Sequence, residues 1–378
     1  MKISLKCNMK ASILFLVLIS TLSICKTAQS KLATCTGNEE CIIYTECDEF
    51  SKLSEKGHLT LVEREYVKSK TCKTVNNELH LCCARRNVPT ITVPRLSTTK
   101  FPTAPKCGHY VNDKIFGGED TSIDEYPWIA QIMYSKPGKK IGSYCGGSLI
   151  NERFVLSAAH CNRKGPGSWK ITAVRLGDWD TRTNPDCETL QNEVICNDPY
   201  VQVNVIEIIV HPEYDSASST SQNDIMLLKL ENDVQYTKWI QPICLPLDSS
   251  FRGMDFTKFS LEVAGFGITE NGTDSDVKQR LDLDGVENNR CANYYHARYK
   301  AMITNKQICA GGEEGRDSCK GDSGGPLMRY GNFPNSNFPY YVLVGIVSYG
   351  PRFCGTKDAP GVYTRVSEFI DWINSNAN

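Results

Sequence analysis

The sequence carries no excess of either charge: 42 Lys and Arg stand against 43 Asp and Glu in 378 residues, a formal net charge of −1. That balance offers a polyanion little to hold and excludes nucleic acid as the main partner. There is no C-x-x-C pair and no H-E-x-x-H, so the common zinc spacings are missing. No repeat of solenoid period runs along the chain. The longest apolar run, residues 11–24, is shorter than the roughly 20 residues a membrane-crossing helix needs. Histidine is scarce, with only six in the chain. Any imidazole chemistry must therefore come from His58, His80, His109, His160, His211 or His296.

What is present begins with 40% hydrophobic and 9% aromatic residues, which excludes wholesale disorder. The length suggests two or three folding units. Cysteine is abundant at 18, the mark of disulfides made in an oxidising compartment. The N-terminus agrees with that compartment. Lys2, Lys6 and Lys10 precede the apolar run, and small Ala28 and Ser30 follow it at −3 and −1 of a cut, the layout of a secretory signal peptide over residues 1–30. A membrane anchor is the alternative that the short run argues against. Removing the segment discards Cys7 and Cys25 and leaves an even number of cysteines, as full pairing requires. The expected localisation is extracellular, with no membrane span.

Six cysteines crowd the next stretch, Cys35, Cys41, Cys47, Cys72, Cys82 and Cys83. A segment of about 50 residues buries little core, and disulfides are the usual substitute. Between residues 87 and 106 no cysteine occurs, while Pro89, Pro94, Pro102 and Pro105 alternate with Thr90, Thr92, Thr98, Thr99 and Thr103. Proline stiffens the chain and lacks a donor, so this stretch reads as an extended linker. From residue 115 onward, short β-rich runs at 154–156, 201–210, 263–266 and 341–349 are separated by Gly, Pro and Asn clusters, the pattern of an all-β barrel or sandwich. Near the end Val366, Phe369, Ile370 and Ile373 recur at helical spacing and predict one terminal helix.

The chemistry concentrates at Gly321-Asp322-Ser323-Gly324-Gly325-Pro326. This stretch also satisfies G-x-S-x-G, the nucleophile elbow of α/β-hydrolases, but an elbow enzyme needs a histidine after the serine and all six precede Ser323. A serine hydroxyl needs a neighbouring base to take its proton. His160, in Leu156-Ser157-Ala158-Ala159-His160-Cys161, sits among small residues beside a cysteine. Asp224, in Asn223-Asp224-Ile225-Met226-Leu227-Leu228, is a carboxylate entering an apolar run, where it needs a partner such as an imidazole N–H.

The motifs AAHC, DIMLL and GDSGGP, in that order, make residues 115–378 resemble the catalytic domain of the chymotrypsin/trypsin family of serine proteases. The resemblance implies two six-stranded β-barrels with the site in the cleft between them and a C-terminal helix. His160 would be the general base, Asp224 its orienting carboxylate and Ser323 the nucleophile, with the backbone N–H groups of Gly321 and Ser323 as oxyanion hole. Asp317 would form the base of the primary pocket, selecting Arg or Lys, and Gly350 and Gly361 would keep that pocket open. Pro360 stands where sodium-activated relatives carry tyrosine, which implies no sodium activation. Lys114-Ile115-Phe116-Gly117-Gly118 resembles the zymogen activation site: a cut after Lys114 would free the Ile115 α-amino group to pair with Asp322.

The implied disulfides are Cys145–Cys161, Cys291–Cys309 and Cys319–Cys354, with Cys107–Cys244 tethering the light chain and Cys187 and Cys196 left as a local pair. The six N-terminal cysteines, including the Cys82-Cys83 doublet, resemble the CLIP domain of arthropod proteases over residues 31–83. That implies Cys35–Cys82, Cys41–Cys72 and Cys47–Cys83, followed by a linker and activation segment at 84–114. A cut at Arg86 or Lys100 would then release the module. Asp178, Asp180 and Asp186, with the Thr183 carbonyl, lie where relatives hold a structural calcium, and catalysis itself needs no cofactor. Asn271-Gly272-Thr273 is a glycosylation sequon.

The resulting expectation is a secreted, trypsin-like endopeptidase, made as a zymogen and acting in an extracellular innate-immune or developmental cascade of the melanisation or Toll type. Its implied partners are protein substrates (zymogens or a cytokine precursor), an upstream trypsin-like activator and serpin inhibitors. A catalytically silent adaptor is the alternative from another class, and Ser323, His160 and Asp224 argue against it. A CLIP module acting alone as a surface-binding piece is a third reading.

Overall fold

The computed structural model describes residues 35, 39–43, 61–75, 78–84, 101–109 and 121–378, with short breaks at 140, 164, 166, 191–192, 219, 258, 269–272, 315–320, 334–335, 337 and 352–353. The signal segment 1–30, Cys47, Arg86, Lys100, Lys114, Ile115, Asp317, Cys319 and Asn271 lie outside the described residues. The chain divides into two compact units near residue 91.

In the first unit β1 (Glu39–Ile43), α1 (Leu61–Lys70), β2 (Thr71–Val75) and β3 (Glu78–Ala84) form a three-stranded antiparallel sheet in the order β1-β3-β2 with one helix. Disulfides join Cys35 to Cys82 and Cys41 to Cys72. Leu81, Cys82 and Cys83 are buried. A unit of this size buries little core, so cross-links carry much of its stability. The helix α1 has no apolar stripe that would announce it in the sequence.

The second unit holds two closed six-stranded barrels, the architecture that the family resemblance implied. The first is built from β4 (Ile129–Ser135), β5 (Gly142–Leu149), β6 (Phe154–Ser157), β7 (Lys170–Leu176), β10 (Val201–Val210) and β11 (Met226–Leu230), in the order β10-β11-β6-β5-β4-β7. A two-stranded hairpin, β8 (Cys187–Leu190) and β9 (Glu193–Cys196), stands outside it and is closed by Cys187–Cys196. The second barrel uses β12 (Ser260–Gly265), β13 (Gln279–Val286), β14 (Gln307–Ala310), β15 (Pro326–Gly331), β16 (Tyr340–Tyr349) and β17 (Gly361–Arg365), in the order β12-β13-β14-β17-β16-β15. Closure leaves neither barrel with an exposed edge.

The runs read as strands all form strands. The terminal apolar face becomes a 3-10 turn over Val366–Phe369 followed by α3 (Ile370–Asn376), because Phe369 and Ile373 pack into the main core. A further helix, α2 (Asn288–Tyr299), was not legible: only Cys291 and Tyr295 on it are buried, too few for a stripe. Cys291 bonds to Cys309 on β14 and pins the helix to the barrel.

One core joins the barrels, since Trp128, Leu149 and Leu228 share it with Met328, Tyr341 and Ile346. Within it Tyr126 and Tyr341 both donate to Glu262 Oε2, at 2.7 and 2.8 Å, so this buried carboxylate has the partners it needs. Residues 101–109, whose composition reads as the end of a linker, lie against this unit. Phe101 is buried in the core, Cys107 bonds to Cys244, Gly108 N donates to Pro242 O and Tyr341 N donates to Gly108 O. One aromatic anchor and one disulfide are enough to turn a stiff segment into a strap.

Candidate active site

His160 sits on the 3-10 turn Ala159–Cys161 that follows β6, and the Cys145–Cys161 disulfide ties this turn to β5. Asp224 precedes β11 and is fully buried. Because β11 pairs with β6, with Met226 opposite Ser157, the acid and the imidazole arrive side by side. Asp224 Oδ1 accepts from the His160 backbone N–H at 2.9 Å, and Oδ2 lies 2.8 Å from His160 Nδ1. Ser348 Oγ donates to the same Oδ2 at 2.5 Å, and Thr364 Oγ1 donates to the Asp224 carbonyl at 2.8 Å. A carboxylate held from three sides presents the imidazole with one orientation. Its other nitrogen, Nε2, is left to serve as acceptor.

Ser323 lies on the turn before β15, and its carbonyl accepts from Gly146 N on β5 at 2.8 Å. Gly324 has φ +79°, and a Cβ there would run into Ser157 Oγ and lie 2.6 Å from Gly146 O. Glycine is therefore required at that position by both conformation and space. Gly324 N donates to Val347 O and Gly325 N to Asp322 O, which closes the turn. Among the described residues no hydrogen bond joins Ser323 to His160; the two line one cleft, with Gly321 and Asp322. Such bonds are often loose before a substrate arrives. Gly321 adopts φ +100°, a left-handed conformation beside the reacting position.

Asp322 lies beside Gly265 and Gly267, and its Oδ1 accepts from Gly267 N at 3.0 Å. Gly350 follows β16 and Gly361 opens β17, so both flank the same side of the second barrel. The cleft has a volume of about 700 Å³ and runs from Ser323 past the Cys145–Cys161 bridge to Arg175 and Thr181.

The calcium expectation is tested by the donors of the loop after β7. Asp180 is clasped by Arg182 through Nε at 2.8 Å and Nη2 at 2.6 Å, which draws its carboxyl below the usual range. Asp186 accepts from Trp179 N, Asp180 N, Asn197 Nδ2 and Thr183 Oγ1. Asp178 accepts from Gln131 and Arg175, and burial pushes its carboxyl up. Only its Oδ1 is left without a partner. The nearby Lys278 is buried, with its ammonium facing Glu125, Asp124, Asp178 and Asp186. Calcium takes six to eight oxygens, and the set as placed here does not form such a shell. Among the described residues, the close-packed groups of metal-type donors are Cys35, Cys72 and Cys82 in one and Cys145, His160 and Cys161 in the other, and all these cysteines are in disulfides.

A family model for trypsin matches residues 115–373. The chain belongs to the trypsin family. It is a serine endopeptidase. Melanization protease 1 of Drosophila melanogaster is 40% identical, over 97% of this chain and 98% of the relative. CLIP domain-containing serine protease HP8 of Bombyx mori is 42% identical, over 90% and 92% of the two chains. The crystal structure of the Drosophila Grass clip serine protease of the Toll pathway superposes with a TM-score of 0.65 at 29% identity, covering 89% of this chain and 93% of that one. This trypsin-family chain is thus a CLIP-domain serine protease of the arthropod type, and its relatives are cascade proteases acting on proteins. Among the described residues no helix is long and apolar enough to cross a membrane.

The supports Ser348, Thr364, Gly146 and Ser157 were not picked out from the sequence. They come from four different strands and reach the site only through the barrel pairings.

Proposed function

We propose that the chain is a secreted zymogen that, once cut after Lys114, cleaves proteins after Arg or Lys in an extracellular innate-immune or developmental cascade. The observation that carries this reading is the 2.8 Å contact of His160 Nδ1 with buried Asp224 Oδ2, in the cleft that also holds Ser323. Ser323 Oγ attacks the scissile carbonyl while His160 Nε2 takes its proton. The imidazolium is stabilised by Asp224, and the oxyanion by the N–H groups of Gly321 and Ser323. His160 then passes the proton to the leaving amine, and water repeats the sequence on the acyl-enzyme. Each oxyanion donor contributes roughly 2.7–4 kcal/mol in comparable sites. Asp317 fixes the cationic side chain at the cleaved position, between Gly350 and Gly361.

Activation works through charge. The new Ile115 ammonium pairs with Asp322 and holds the 321–323 turn in its reactive shape. A buried partner left alone would cost roughly 3–5 kcal/mol, so the pair forms as a unit. Residues 31–83 act as a CLIP docking module. The relatives' names place them in melanisation and in Spaetzle processing, which supports a cascade of that type. Serpins are the inhibitors suited to such an enzyme.

The test is hydrolysis of an Arg-anilide peptide by the purified chain before and after a controlled cut at Lys114, beside Ser323→Ala cut identically. Activity that appears only after the cut and only with Ser323 is the expected result. Silence in correctly cut protein would mean an adaptor.

A further inference from the structure

Asp224 stands at the end of the loop that joins β10 to β11, and the last turn of that loop is held by side chains of the other barrel. Asn223, the residue before Asp224, is 8% exposed and sits at φ +57°, a left-handed conformation that asparagine tolerates better than most side chains. Its side chain is engaged at both atoms. Oδ1 accepts from Lys306 Nζ at 2.8 Å, and Nδ2 donates to the Glu213 carbonyl at 3.3 Å. Lys306 belongs to the second barrel, just before β14, and its ammonium also lies 3.7 Å from Glu213 Oε2 and 5.6 Å from the centre of the Phe369 ring. The next residue, buried Gln307, donates Nε2 to the Thr220 carbonyl at 3.0 Å. Two consecutive residues of one barrel thus grip both ends of the stretch 220–223 that delivers Asp224 in the other. The ring closes behind them. Arg365 N donates to the Lys306 carbonyl, while its neighbour Thr364 donates Oγ1 to the Asp224 carbonyl.

We infer that Lys306 is a positioning residue of the reaction: it holds Asn223, and through Asn223 it fixes the direction from which the Asp224 carboxylate meets His160 Nδ1. The inference rests on the triad reading above and adds to it a residue that touches neither substrate nor reacting atoms. Asp224 and His160 come from the first barrel and Ser323 from the second, so their alignment depends on how the two are registered at this point. A misplacement of about 1 Å is enough to cost roughly a hundredfold in rate. The ammonium makes a charge-assisted bond, stronger than a neutral amide would make, and Glu213 keeps it on the loop.

The experiment uses the full-length protein cut at Lys114, with rates on the Arg-anilide taken per active site by burst titration, so that misfolded protein does not count. Lys306→Met keeps the stem and removes the ammonium. It should lower kcat by about threefold to tenfold, part of the full effect of a charged hydrogen bond, and leave KM within about twofold. Lys306→Arg restores a cationic donor and should recover most of the loss. Asn223→Gly keeps the left-handed turn and removes the acceptor, so its loss should match that of Lys306→Met, and the double variant should lose nothing further. An unchanged kcat in Lys306→Met overturns the inference. So does a loss carried by KM alone, a loss that Lys306→Arg does not recover, or independent losses in the two single variants. If the cut wild type hydrolyses nothing, the triad reading itself fails; if it turns over and Lys306→Met keeps pace with it, only the role of Lys306 fails.

Discussion

Ser348 Oγ donates to Asp224 Oδ2 at 2.5 Å, the same oxygen that faces His160 Nδ1 at 2.8 Å. The two donors share one acceptor that is buried from water, so neither can be lost without moving the other. Hydrogen bonds to a charged group contribute roughly 1.5–3 kcal/mol. Ser348→Ala should therefore lower kcat of the cut enzyme by about tenfold to a hundredfold. Asp224→Asn should cost far more, about ten-thousandfold, because the amide holds the imidazole in the wrong tautomer. Steady-state kinetics on an Arg-anilide separates the two, and an unchanged kcat in Ser348→Ala would show that Ser348 positions nothing.

Gly324 makes a sharper steric prediction. A methyl group there meets Ser157 Oγ and Gly146 O while the backbone stays at φ +79°. Overpacking of this kind costs roughly 1–3 kcal/mol. Gly324→Ala should lower the melting temperature and remove activity together, since the turn that aims Ser323 hangs on Gly146 N. A stable, active variant would place the serine's support elsewhere.

The sequence was most informative where chemistry restricts residue type. A serine among glycines, a histidine beside a cysteine and an aspartate entering an apolar run could be singled out without structure; the fold puts the first two on one cleft and buries the aspartate against the histidine. The β-runs were legible because short runs rich in β-branched and aromatic residues, bounded by Gly, Pro and Asn clusters, need little context. Their partners were not. Ser348 and Thr364 reach Asp224 from 124 and 140 residues away. Nothing local marks either of them. Likewise Arg182 claims Asp180 from two positions on, a choice between a protein cation and a bound one that spacing alone does not decide. Helix α2 escaped notice because only Cys291 and Tyr295 on it are buried, and the first of these is held by a disulfide.

The strap at 101–109 bears on what remains after activation. Phe101 is 2% exposed within the core, and Cys107 is bonded to Cys244. A cut at Lys114 should give two chains that run as one on non-reducing gels and separate on reduction. Phe101→Ala should destabilise the protease unit by roughly 3–5 kcal/mol, the usual range for a buried phenylalanine. Chemical denaturation would measure it. A loss under about 1 kcal/mol would mean that the disulfide alone secures the light chain.

Lys278 gives the pH dependence a sign. Burial pushes its ammonium down to about 8, although Glu125, Asp124, Asp178 and Asp186 all face it and favour the charged form. In the unfolded chain the same group keeps its usual value near 10.4. Between those two values the unfolded state binds more protons than the folded one, so stability from this group rises with pH across the window. Below pH 8 the folded protein carries the whole cost of a buried charge, on the order of 3 kcal/mol. The stability difference between wild type and Lys278→Met should therefore move in favour of wild type as pH rises from 8 to about 10.5, and should be flat from pH 6 to 7. Urea unfolding at a series of pH values measures that difference directly. A difference that stayed constant across pH 8 to 10.5 would mean that Lys278 keeps an ordinary affinity for its proton, and that the carboxylates around it fully offset its burial.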